Sequence, residues 1–301
     1  MLAVDRVDDA SDPGIETTLQ PTPDELPDAH EARASRRFDV RKFARKTFDA
    51  TWPKLAALAI FVFLWQCVVW YGYRPRIIKP PREVFSTAVD LWRDGLITEA
   101  IRNTMIRIGV GFAVAMVIGI TIGAVVSSSK VVRAAIGSMV TGIQTMPSIA
   151  WFPFAIALFG RSEGAIRFVI VLGAAPAIAN GLITGVDQIP PLLLRAGRML
   201  GARGVNSYRH VVLPATLPSF IGGLKQGWAF AWRSLLAGEL LFTIAGKQSV
   251  GRALSEFRDL SKYTEMTVMM LVIFAIGLLI DAVFFGTLDR AIRRRWGLLT
   301  D

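Results

Sequence analysis

The chain has 301 residues, 52% of them hydrophobic, with 34 Lys and Arg against 24 Asp and Glu, a net charge of +10 and a mean hydropathy of +0.44. A soluble domain of this length is less apolar, so part of its surface must face something other than water. A single cysteine, Cys67, and two distant histidines, His30 and His210, exclude a disulfide framework and a Cys- or His-based metal centre, and basic residues that stand beside apolar runs, not in a stripe with aromatics, point to membrane topology and away from nucleic acid.

Residues 1–35 are acidic and polar, with Asp5, Asp8, Asp9, Asp12, Glu16, Asp24, Glu25, Asp28 and Glu31 and prolines at 13, 21, 23 and 27. Such a stretch buries too little apolar surface to fold alone, and it lacks the basic start and apolar run of a signal peptide. A basic segment follows: Arg36, Arg37, Arg41, Lys42, Arg45 and Lys46. The expected organisation is a disordered tail over 1–50, acidic then basic, and a membrane domain over 51–298.

A membrane-crossing helix needs about 20 apolar residues. Candidate spans are Leu55 to Tyr71, Ile108 to Val126, Ala134 to Phe159 (interrupted by Pro147 and Pro153), Ile166 to Ile183, Leu217 to Ile244 and Met266 to Leu288. The fold class is therefore all-α, with about six transmembrane helices. Trp52, Trp70, Tyr71 and Tyr73 flank the first span as an interfacial aromatic belt does. Between the first and second spans, Phe85, Ala88, Val89, Trp92, Leu96, Ile97, Ile101 and Met105 recur at helical spacing, which predicts an amphipathic helix over Arg82 to Arg107, started by Pro80 and Pro81. Gly119 with Gly123, and Gly181 with Gly185, are small-xxx-small pairs that let helices approach closely in lipid. The Lys and Arg bias, uneven at the basic 74–82 loop, puts both termini in the cytoplasm.

The stretch 190–214 lies between the fourth and fifth spans. Pro190 and Pro191 stand near the N-terminus of a short helix over Leu192 to Gly201, Gly201 can supply a sharp turn, and Pro214 starts the next span. A short rigid helix between two membrane helices can be gripped by a soluble partner and used as a lever. Its residues Arg195-Ala196-Gly197, then Gly201-Ala202, then Val211-Val212-Leu213-Pro214 resemble the EAA loop of ABC-importer permeases. Arg195 stands where that pattern has Glu, and Gly197 where it has Ala. Residues 143–160, IQTMPSIAWFPFAIALFG, resemble the third span of the nitrate/sulfonate/taurine-type permeases. Residues 222–240, with Trp232 seven residues before Glu239, resemble the fifth, and Asp281 to Trp296 resembles the family's C-terminus.

The resemblance implies a type I ABC importer permease fold in the bacterial inner membrane, working as a homodimer. It implies coupling through Arg195, Ala196, Gly197, Gly201, Ala202, Val211, Leu213 and Pro214 to two cytoplasmic ATPase subunits, which bind the ATP and Mg. A separate solute-binding protein would deliver the substrate, a sulfonate, taurine or nitrate-like anion. The chain itself is expected to bind no cofactor and to be no enzyme. Gly246-Lys247 lacks the other residues of a phosphate-binding Walker loop, and no nucleophile–base pair or metal-ligand set clusters.

Arg233 is a charge inside an otherwise apolar span, and such a charge faces a cavity or a partner. It either lines the translocation path or pairs internally with Glu239, which at six residues' distance needs a bend or a second copy. Trp151, Trp228 and Trp232 either wall the path or pack the bundle. Met146 and Pro147 mark a break in the third span, either near the path or purely structural. A self-sufficient secondary transporter or channel is the alternative reading, but intramembrane carboxylates are few, Glu239 and Asp281, both near span ends.

Overall fold

The computed structural model describes residues 40–242 and 247–295, and every element in them is helical. The acidic stretch 1–35, Arg36, Arg37, Ile244, Gly246 and Trp296 lie outside the described residues. Two compact units are distinguished, residues 1–61 and residues 62–301.

Helix α1 covers Val40–Trp70. It begins eleven residues before the expected domain boundary at 51, so the end of the expected tail is helical. Helix α2, Pro81–Arg93, starts with Pro81 in its first turn, where a missing N–H costs nothing. It ends at Asp94, and Gly95 turns the chain with φ +79°. The amphipathic helix expected over 82–107 is therefore two pieces, and residues 96–107 belong to the second span, α3, Leu96–Ser128. A left-handed backbone suits glycine and ends the first helix.

Helix α4, Lys130–Thr145, ends at Met146. After a 3-10 turn over Ser148–Trp151, α5 runs Phe152–Phe159, and the two arms meet at 99°. The break sits at Met146 and Pro147 alone. Pro153 lies in the first turn of α5, where proline continues a helix without conflict.

Then come α6, Glu163–Asp187, and α7, Pro191–Met199. A short turn, Val205–Ser207, and a π turn, Tyr208–Val212, lead into α8, Leu213–Leu241. Helix α9, Val250–Asp259, had no counterpart among the expected elements. Helix α10, Tyr263–Leu279, passes through a π turn, Ile280–Phe285, into α11, Gly286–Arg295. Among the described residues three helical stretches are long and apolar enough to cross a membrane: Leu96–Ser128, Glu163–Asp187 and Tyr263–Ile292. The bent pair makes a fourth if it is one span, and Leu55–Trp70 is a shorter apolar helix. Helix α8 is long but carries Lys225, Arg233 and Glu239.

Helix α6 is the centre of this arrangement. On one side Gly111, Ala115, Gly119 and Gly123 of α3 form a stripe four residues apart, and all are buried. A Cβ on Gly119 would lie 2.7 Å from the Ala175 carbonyl oxygen, and one on Gly123 3.0 Å from that of Ala179. On the other side a Cβ on Gly181 would lie 2.5 Å from the Gly223 Cα, and one on Gly185 2.9 Å from the Thr216 carbonyl oxygen. Both glycine pairs legible in the sequence are thus helix–helix contacts. In lipid, where burying apolar surface gains little, such close packing drives association. The core around it includes Ile166, Ile170, Ile178, Phe152, Trp232 and Leu235. A second cluster joins Val84, Ile97, Val250, Phe257, Val268 and Met269 of α2, α3, α9 and α10.

Replacing Gly181 with Leu should lower stability by about 3 kcal/mol or more, because backbone and not a flexible side chain would have to give way. Gly109, with open space around it, is the control: Gly109→Ala should leave the thermal midpoint of the detergent-solubilised chain within a few degrees.

Candidate functional site

The segment expected to couple, 190–214, is built from proline at one end and glycine at the other. Pro190 and Pro191 open α7. At its far end the Ala202 N–H donates to the Gly197 carbonyl (2.9 Å) and the Gly201 N–H to that of Arg198 (3.1 Å), while Gly201 takes φ +84°. This is a Schellman closure, which only a residue tolerant of the left-handed region completes without strain. Gly197 is buried, and a Cβ there would lie 2.8 Å from the Val211 Cγ2. The glycine at the position where the resembling pattern has Ala therefore lets α7 lie directly against the π turn at the base of α8. Arg195 is exposed, and Pro214 occupies the first turn of α8. Met199 and Leu200 are 88% and 89% exposed, with Leu192 also open. Large apolar side chains presented this way mark a surface that meets a partner.

The residues expected on the path divide into two groups. Met146 is exposed, and with Pro147 it forms the corner between α4 and α5. Trp151 is half-buried, edge-on to Phe154 at 6.4 Å. Arg233 is exposed: its Nε donates to the Ala229 carbonyl (3.1 Å), and its guanidinium lies 4.7 Å from the centre of the Phe230 ring. It shares an open face of α8 with Gly222, Gln226 and Ala229. The second group packs inside. Trp228 meets Phe112 of α3 edge-on at 5.3 Å and Phe285 at 6.4 Å. Trp232, 9% exposed, belongs to the core.

Glu239 is the clearest departure from expectation. It pairs with Arg107 and not with Arg233. Arg107 Nη1 donates to Glu239 Oε1 at 2.5 Å, while its Nε and Nη2 grip both oxygens of Glu163 at 2.8 Å each. The Thr104 hydroxyl lies 3.2 Å from both Glu239 oxygens and accepts the Val250 N–H at 3.0 Å. The Gly251 N–H donates to Glu239 Oε2 at 3.0 Å, and a Cβ on Gly251 would lie 2.5 Å from the Glu239 Cβ. Lys247 Nζ stands 3.9 Å from Glu163. One cluster therefore ties α3, α6, α8 and α9 together. Arg107, Glu163 and Thr104 escaped sequence reasoning, because the partners lie 56 to 146 residues apart. The one available signal was three charges bordering apolar runs.

Residues 115–296 match the family described as the binding-protein-dependent transport system inner membrane component, and the chain belongs to that family. It is a multi-pass permease subunit of an ABC importer, not an enzyme; the ATPase is a separate subunit. An ABC transporter permease protein of Methanocaldococcus jannaschii is 29% identical, over 76% of this chain and 86% of that one. The nitrate import permease of Leptolyngbya laminosa is 25% identical, over 86% and 94%. The taurine transport system permease of Escherichia coli is 24% identical, over 67% and 76%. A chain in the inward-facing MetNI methionine ABC transporter shares the fold, with a TM-score of 0.55 and 20% identity over 65% of this chain and 96% of that one.

Removing Arg107 leaves Glu239 buried without a counter-charge, so Arg107→Met should cost about 3–5 kcal/mol. The double variant Arg107→Met, Glu239→Gln should recover part of that loss. Thermal unfolding of the four members of the cycle in detergent reads the coupling directly.

Proposed function

We propose that this chain is one half of a two-fold anion pathway, switched by ATPase subunits that grip α7. The observation that carries the reading is the seat of α7. It is clamped on α8 through Gly197 and Val211 and bears exposed Met199 and Leu200 on its outside. A pull on such a helix is delivered to the base of a long membrane helix and not absorbed by a loop. In this reading residues 51–298 are the permease domain, 190–214 is the cytoplasmic coupling loop, and both termini lie in the cytoplasm. Arg195, Ala196, Gly201, Ala202, Leu213 and Pro214 complete the coupling surface. ATP and Mg are bound by the partner ATPase subunits, and an extracytoplasmic binding protein hands over the solute. A second copy of the chain covers the bent α4–α5 pair, where Val131, Met139, Phe154 and Leu158 are exposed.

The path runs along the open face of α8 that carries Gly222, Gln226, Ala229 and Arg233, with Met146 and Pro147 at its corner. Trp151 borders it, and Trp228, Trp232 and Glu239 support it from inside the bundle. An exposed guanidinium, held in place by a carbonyl and a ring, selects a small anion. Sulfonate, taurine and nitrate fit that chemistry, and nitrate and taurine are named for relatives of this chain.

Two measurements test the reading. In vesicles carrying the assembled transporter, Arg233→Gln should lower uptake of the anion delivered by the cognate binding protein about tenfold or more; undiminished uptake rules out the anion role. With Cys67 replaced by Ala, Leu200→Cys should react with a membrane-impermeant maleimide only from the cytoplasmic side, and in the presence of the bound ATPase it should be protected. Labelling from outside overturns the handle assignment.

A further inference from the structure

The end of the bundle that carries α7 holds a slot of about 820 Å³, between α3, α6, α7, the π turn and α8. Its volume is that of a ligand pocket. Ile120, Leu182, Val186, Leu217 and Phe220 form an apolar wall along the membrane helices. Where the slot meets α7 and the π turn, Arg198 and Arg209 line it. Among the described residues lining it there is no carboxylate. Ser127, at the same end, has a buried hydroxyl with no hydrogen-bond partner among the described residues.

This slot is not the solute path proposed above. Leu213, Thr216, Leu217 and Phe220 line it, a set spaced as one face of a helix. Gly222, Gln226, Ala229 and Arg233 form the open face. Phe220 and Gly222 are two residues apart, about 200° around the helix, so the two faces point in nearly opposite directions.

We infer that the slot holds an anionic phospholipid, its phosphate between Arg198 and Arg209 and one acyl chain along the apolar wall. Each half of the lining excludes a simpler occupant. A soluble anion would leave the Leu and Phe wall against water, and a plain hydrocarbon would not engage the two exposed guanidinium groups at the rim. A bilayer lipid satisfies both, as basic pockets between membrane helices do. The lipid comes from the leaflet on the α7 side. That leaflet is the cytoplasmic one under the topology proposed above, but the site does not depend on which it is. Its position makes it a wedge between the coupling helix and the bundle.

Native mass spectrometry of the full-length chain in detergent tests this, with palmitoyl-oleoyl phosphatidylglycerol, the matching phosphatidylcholine and inorganic phosphate as probes. Phosphatidylglycerol should be retained in preference to phosphatidylcholine, and the preference should fall about five-fold with each of Arg198→Gln and Arg209→Gln. Ala124→Phe, which fills the slot beside Ile120, should reduce retention of both lipids, with a thermal midpoint near that of the parent showing that the chain is folded. Equal retention of the two lipids by the parent chain overturns the inference. So does retention untouched by the two arginine changes or by Ala124→Phe, and displacement of the lipid by millimolar inorganic phosphate would assign the site to a soluble anion. None of these readings involves transport, so they stand apart from the test of Arg233.

Discussion

Contact between α6 and its two neighbours at backbone distance is the constraint on which the rest of the structure depends. Gly119 and Gly123 bring α3 against the carbonyls of Ala175 and Ala179, and Gly181 with Gly223 brings α8 onto the opposite side. No side chain is available at these points to act as a cushion, so the three helices cannot slide past one another without separating. A protein interior so packed shifts as a body, not by gradual deformation. Helix α7 is attached at the end of that body, joined to α6 through Gln188 and Ile189 and seated on α8 through Val211. Motion imposed on α7 therefore moves a block of helices.

The charges in the membrane helices obey the same economy. Arg107 spends all three of its donor nitrogens on two carboxylates, and Glu239 takes further hydrogen bonds from Thr104 and the Gly251 N–H. An ion pair in such surroundings persists only when the remaining lone pairs and protons are also satisfied. Here they come from four different helices, so the cluster fixes how those helices meet. Arg233, on the other hand, has a carbonyl and an aromatic face for neighbours and stays open. Two arginines in membrane helices thus have opposite fates, one locked in the structure and one left open at the surface.

The corner at Met146 and Pro147 adds the irregular element. Proline supplies no N–H and pushes the residue before it out of the helical region, so Met146 takes extended angles, φ −74° and ψ 132°. The chain turns by 99° there, and α5 packs beneath α6 while α4 retains exposed apolar residues. Asn180 Nδ2 donates to Gln144 Oε1 at 2.6 Å just before the corner, and an Arg133–Asp187 pair ties the other end of α4 to α6. The bend is therefore anchored on both sides and its outer face left for another surface.

Much was legible from local pattern. Of the six spans expected from apolar runs, three correspond to stretches long and apolar enough to cross a membrane among the described residues, with a bent pair as a fourth; Pro81 and Pro191 marked helix starts, Gly201 marked a helix end, and the spacing from Arg195 to Pro214 was enough to recognise the family. Each of these is a property of neighbouring residues, which is why the sequence alone could determine it. What it could not determine was pairing across distance. Whether Glu239 faces Arg233 or Arg107, and whether Trp228 and Trp232 look into a path or into the bundle, were decided only when the glycine seams fixed how α6 meets α3 and α8. Helical periodicity says which residues share a face, but the neighbour of that face is chosen by tertiary packing.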